Sequence, residues 1–250
     1  CYYRVMTKFL LISEDSDSVA FKAAVESLSN YDEEKAQIVQ DAEEKTDHFE
    51  DIIGTYLVKL SAKKLNEKEG AMASMLLKAI GDFERISDHA VNICDVAREL
   101  DEKGIVFSDV AQKEIKVMCS ALSEIIALTV DAFEHSDLQK AQLVEPLEET
   151  VDYLRAKLKE GHVARLKDGE CTIETGFIFS DFLINCERVS DHCSNIAVCF
   201  ISLGEIKSLS EARKVIERSE PIATYLPTEH EEFNQAYEKY LPIVGKTSRK

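Results

Sequence analysis

Apolar residues recur along this 250-residue chain at intervals of three and four, the period of an amphipathic helix. The pattern predicts helices at about 14–29, 32–62, 71–101, 108–135, 137–160 and 175–203. Polar residues between Ser13 and Ser18 weaken the first of these. Breaks are expected from Asn66 to Gly70, from Asp101 to Gly104 and from Lys167 to Gly169. Ser108 offers an N-cap for the fourth helix, and Pro146 either kinks the fifth or marks its true first turn. Two shorter helical pieces follow, around 207–218 and 229–241. Phe233, Tyr237 and Tyr240 share one face of the last and are read as a tail docking on the core.

The same pattern occurs twice. Residues 84–93 read ERISDHAVNI and residues 187–196 read ERVSDHCSNI, identical at seven of ten positions with an offset of 103. Upstream, KAQIVQDAEEKTD at 35–47 matches KAQLVEPLEETVD at 140–152 with an offset of 105. Two independent matches at nearly one offset define a duplicated three-helix unit. The expected fold is all-α, with a first repeat over 1–104, a second over 105–204 and a helical tail over 205–250.

Each motif helix carries an acid, three residues, then Asp: Glu43/Asp47, Glu84/Asp88, Glu148/Asp152 and Glu187/Asp191. Spacing of i,i+4 stacks two carboxylates on one helix face, where like charges repel. A bridging cation gives a repeated pair a reason. On the third helix Phe83, Ile86, Ala90, Ile93, Cys94 and Ala97 form the apolar stripe. Glu84 lies at its edge, with Asp88 and Asn92 climbing away. Glu187, Asp191 and Asn195 repeat this on the sixth. On the second helix Ile38, Ala42, Phe49 and Ile53 mark the core side, flanked by Glu43 and Glu50. Helices packed side by side would bring these acids together along one seam per repeat. Such oxygen donors suit Mg, Ca, Mn or iron.

The neighbours of the acids are read differently. His89 and His192 lie about 100° further round the helix and are read as polar neighbours rather than ligands. Arg85 and Arg188 are read as ion-pair partners. Ser87 and Ser190 sit within the apolar stripe, where small residues let helices approach, and a Ser/His nucleophilic pair is geometrically poor.

A net charge of −17 opposes nucleic acid and anionic lipid surfaces as partners and favours cations. The longest early apolar run, Phe9 to Ile12, is far below the ~20 residues of a membrane helix. Seven Cys lack a CxxC pair, which argues against a common zinc site. Cys94, Cys186, Cys193 and Cys199 fall inside helices as buried thiols. Beginning at Cys1 rather than Met suggests a piece of a longer protein.

GDFERISDHAVNI and NCERVSDHCSNI resemble the duplicated signature of PhoU proteins, and VQDAEEKTD and VEPLEETVD resemble that family's other acidic motif. The resemblance covers about 30–203. It implies two three-helix bundles related by a pseudo-twofold axis. It also implies multinuclear iron or other divalent-cation sites on Glu43, Asp47, Glu84, Asp88, Glu148, Asp152, Glu187 and Asp191. The form RISDHAVN resembles the domain that follows the membrane part of bacterial sodium/phosphate cotransporters. The expected role is therefore regulatory and non-enzymatic, at the cytoplasmic face of the membrane. The expected partner is that membrane part or another phosphate transporter, or a second copy in a homodimer. Three alternatives stand beside it. One is a free-standing PhoU-type phosphate regulator, and one a ligand-free dimerisation bundle. The third is a di-iron carboxylate enzyme, disfavoured because neither His89 nor His192 has Glu three residues before it. Arg155 stands where the first repeat has Glu50, so the second site is expected to bind metal less well.

Overall fold

Side-chain caps set where four of the helices begin. The computed structural model describes residues 19–62, 65–135, 137–205 and 239–240. Helix α1 covers 19–27. It is followed by α2 (Glu33–Ser61), α3 (Glu67–Lys103), α4 (Asp109–Glu134), α5 (Leu138–Gln142), α6 (Val144–Lys167) and α7 (Ile173–Glu205). Asp32 accepts from the Glu34 N–H and Ser108 from the Ala111 N–H. Asn66 and Glu69 form a reciprocal capping box. That box starts α3 at Glu67 rather than near 71, so Gly70 lies inside the first turn instead of breaking it. Gly104 closes α3 in the left-handed region, at φ 61°.

The fifth expected helix is two. Asp137 caps the short α5, the chain steps at Leu143, and α6 begins at Val144, so Pro146 occupies a first turn where its missing N–H costs little. The helix then runs to Lys167 rather than ending near 160. Gly161 does not stop it, because Leu158 and Arg165 on either side are buried and hold that face down.

Helices α3 and α7 pack on each other as the central pair, α2 flanks α3, α6 flanks α7, and α4 lies against α6 and α7. The two repeats therefore meet through their last helices. The predicted α3 stripe, Phe83 to Ala97, is buried throughout. On α2 the expectation needs correction. Ile38 is 45% exposed, and the buried face runs through Val39, Ala42, Thr46, Ile53 and Leu57. Because α2 packs chiefly on α3, its buried stripe is narrow, and a one-residue rotation puts Ile38 outside it.

Phe83 meets Phe133 edge-on, with centroids 5.4 Å apart. Arg165 grips Glu114 with two bonds of 3.0 and 2.7 Å, tying α6 to α4 inside the core. Cys94, Cys186, Cys193 and Cys199 are buried, as expected. Tyr240 is also buried, and its hydroxyl donates to Glu124 on α4. Phe233 and Tyr237 lie outside the described residues, as does the segment from Ser13 to Ser18. Among the described residues there is no strand, and no helix is long and apolar enough to cross a membrane.

Candidate metal centre

Two seams carry the motif acids. The first lies between α2 and α3, the second between α6 and α7. In the second, Glu148, Asp152 and Asp191 each offer a carboxylate oxygen within 4.8 Å of the others. Among the described residues this is the one group of three or more His, Cys, Asp or Glu so placed. Burial together with Glu145, Asp152 and Asp191 pushes Glu148 up to about 8. Burial and Asp152 likewise raise Asp191. One oxygen of Asp152, Oδ1, is buried with no hydrogen-bond partner. The fourth motif acid, Glu187, is held at 2.9 Å by Arg155 Nη2.

In the first seam Glu84 is pushed up to about 7, by burial and then by Asp88, with Glu50 adding to the effect against the opposing Arg85. Burial, then Asp88 and Asp47, raise Glu43. Arg85 reaches Asp88 at 3.0 Å and Glu84 at 3.5 Å. Asp47 is exposed, whereas the other seven motif acids are half-buried. Its equivalent, Asp152, is half-buried.

The two histidines take a position the sequence reading did not foresee. They face the opposite repeat rather than a polar surface. His192 Nδ1 lies 2.9 Å from Asp82 Oδ1, His89 Nδ1 lies 2.9 Å from Asn185 Oδ1, and the two rings stack with centroids 5.6 Å apart. Asn195 also approaches Asp82, at 3.4 Å. Ser194 donates to the buried Glu145 at 2.7 Å. Asp82, Asn185 and Glu145 were missed. A signal existed, because Asp82 and Asn185 stand 103 apart, as do His89 and His192. Ser87 and Ser190 are fully buried in the stripe.

The second seam has the donor set a hard cation needs, and among the described residues the first brings no three such atoms together. Its donors are carboxylate oxygens, burial and then neighbouring carboxylates raise Glu148 and Asp191, and a buried oxygen of Asp152 lacks a partner.

A duplicated helical unit with an acidic seam in each copy and its last helices paired is the class that fold and site define. The chain belongs to the PhoU family: the PhoU domain model matches residues 17–97 and 115–199. The chain is 25% identical over 202 residues to the phosphate-specific transport system accessory protein PhoU homolog 1 of Thermotoga maritima, covering 80% of this chain and 86% of that protein. It is 24% identical over 184 residues to the corresponding PhoU homolog of Clostridium acetobutylicum, covering 72% of this chain and 81% of the relative. The crystal structure of PhoU from Pseudomonas aeruginosa matches with a TM-score of 0.72 at 25% identity, over 80% of this chain and 95% of that one. PhoU from Streptococcus pneumoniae shares the fold, with a TM-score of 0.68 at 19% identity over 81% and 94% of the two chains.

Proposed function

We propose that this protein is a PhoU-type regulator of phosphate transport, a binding protein rather than an enzyme, whose two acidic seams hold cations. The observation that carries the reading is the family match across both repeats. The clustering of Glu148, Asp152 and Asp191 supports the cation part. The relatives are accessory proteins of phosphate-specific transport systems. They favour an accessory regulator over the cotransporter tail that RISDHAVN suggested. The partner is then a phosphate transport system, met at the cytoplasmic face of the membrane.

Glu148, Asp152 and Asp191 would hold a cation in the second seam, and Glu43, Glu84 and Asp88 in the first. Such a cation supplies charge compensation. The chain's own residues do the rest: Arg85 and Arg188 steady Asp88 and Asp191, and the His89–His192 contact joins the helices that carry both seams.

The test is uptake of labelled phosphate by cells with and without the gene, grown in high and in low phosphate. Uptake that persists but no longer responds to phosphate supply is expected. An unchanged response, with the protein expressed and folded in the parent, would falsify the regulatory role.

A further inference from the structure

The joint between the two repeats holds a cavity apart from both seams. Gly104, in the left-handed region, turns the chain back on α3, and the Ile105 N–H donates to the Leu100 carbonyl at 2.9 Å. The linker then runs through Val106 to Phe107, which is buried and meets Phe179 of α7 edge-on with centroids 5.8 Å apart. Between the end of α1, the last turns of α3, this linker and the first turns of α4 lies a cavity of about 230 Å³. That is the volume of about eight waters, or of a ligand with about as many non-hydrogen atoms.

Its floor is apolar. Leu100, Phe107 and Ile115 are buried around it, and Ala97 leaves room where a larger side chain would fill it. Its mouth is charged. Asp101 on α3 and Lys116 on α4 line it from opposite repeats, and both are exposed. Neither forms an ion pair with the other or with any described residue. The neighbouring amide is already engaged, since Gln112 donates to the Phe107 carbonyl at 2.9 Å.

A pocket at the joint of two units, with an apolar floor and a few converging polar groups, is the usual form of a small-molecule site. Here the two free charges are opposite, so a ligand carrying both an ammonium and a carboxylate meets each once. We propose that this cavity binds a free α-amino acid with an aliphatic side chain. Its carboxylate pairs with Lys116, its ammonium with Asp101, and its side chain lies on Leu100, Phe107 and Ile115. The bound amino acid bridges α3 and α4 and so ties the first repeat to the second. Asp101 stands about 25 Å of helix beyond Glu84, so the site is independent of the cation reading.

Isothermal titration calorimetry of the full chain in the presence of a chelator, with L-leucine as the probe, tests this. Saturable binding with a Kd on the order of 0.1–1 mM is expected. Lys116→Gln and Asp101→Asn change exposed side chains, and circular dichroism checks that both variants are folded. Each should weaken binding by about tenfold, the loss of one charge-assisted bond. Isocaproate, which lacks the ammonium, and isoamylamine, which lacks the carboxylate, should each bind the wild type about tenfold more weakly for the same reason. Leucine binding unmoved by either substitution overturns the assignment to this cavity. Isocaproate or isoamylamine binding as tightly as leucine overturns the pairing of both charges. Absence of saturable leucine binding to the wild type overturns the proposal outright and leaves the phosphate-regulator reading untouched.

Discussion

His192 of the second repeat donates through Nδ1 to Asp82 of the first at 2.9 Å, and the same bond recurs across the pseudo-symmetry between His89 and Asn185. One pair uses a carboxylate and the other an amide, with the two imidazoles stacked between them. Asp82→Ala should therefore cost about 1–3 kcal/mol, because it strands the ring N–H and the Asn195 amide. Asp82→Asn reproduces the pair the other side already has and should cost less than half of that. Urea unfolding at pH 7 followed by circular dichroism decides it, and equal losses for the two variants would count against the pairing.

Glu148, pushed up to about 8, and Glu84, pushed up to about 7, set a pH dependence. Between the ordinary carboxylate range near 4.5 and these values, the folded protein holds protons that the unfolded chain releases. Stability of the metal-free protein must then fall as pH rises through that window. A loss on the order of 1–3 kcal/mol between pH 5 and pH 8 is expected. Glu148→Gln should flatten the profile and exceed the wild type in stability at pH 8. An unchanged slope in that variant would show that the titration lies elsewhere.

Cations compete with those protons. Millimolar Mn²⁺ should raise the melting temperature of the chelated protein by several degrees at pH 8 and by less at pH 6. Asp88→Ala together with Asp191→Ala should remove most of the shift. Differential scanning calorimetry at the two pH values measures it, and a shift that survives the double substitution would place the cations outside the seams.

The buried Glu114–Arg165 pair predicts a different pattern. Removing one partner leaves a charge in the core, so Glu114→Ala should destabilise by about 3–5 kcal/mol. Glu114→Met with Arg165→Met should recover most of that loss, since an apolar pair of similar volume needs no partner. Chemical denaturation of the single and double variants forms the cycle.

Much of this was legible in the sequence, because duplication repeats its signals. The i,i+4 acids, the α3 stripe and the Ser108 cap follow from local periodicity, which needs no partner to be read. Three features depended on partners. Ile38 reads as apolar and on face, but only the narrow contact with α3 decides that Val39 is buried in its stead. The end of α6 depended on Arg165 finding Glu114 on another helix, 51 residues away. His89 and His192 appear beside an acidic motif in the sequence, yet their partners come from the opposite repeat. A helical wheel shows direction, not which neighbour occupies it.

The offset between the repeats drops from 105 residues at the first acidic motif to 103 at the second. Two residues added inside a helix would turn every later side chain by about 200°, taking Glu84 and Asp88 off the seam. Both acids stay on it, and the α2–α3 and α6–α7 connections are five residues each, so the length change sits in the helix ends beside the hairpin tip: α3 begins 17 residues before Glu84, α7 only 14 before Glu187. The tip is thus a splice point at which this architecture has already accepted material without disturbing the seams. A peptide tag or a small fluorescent reporter inserted there gives a handle on the protein in cells that leaves the acids in register.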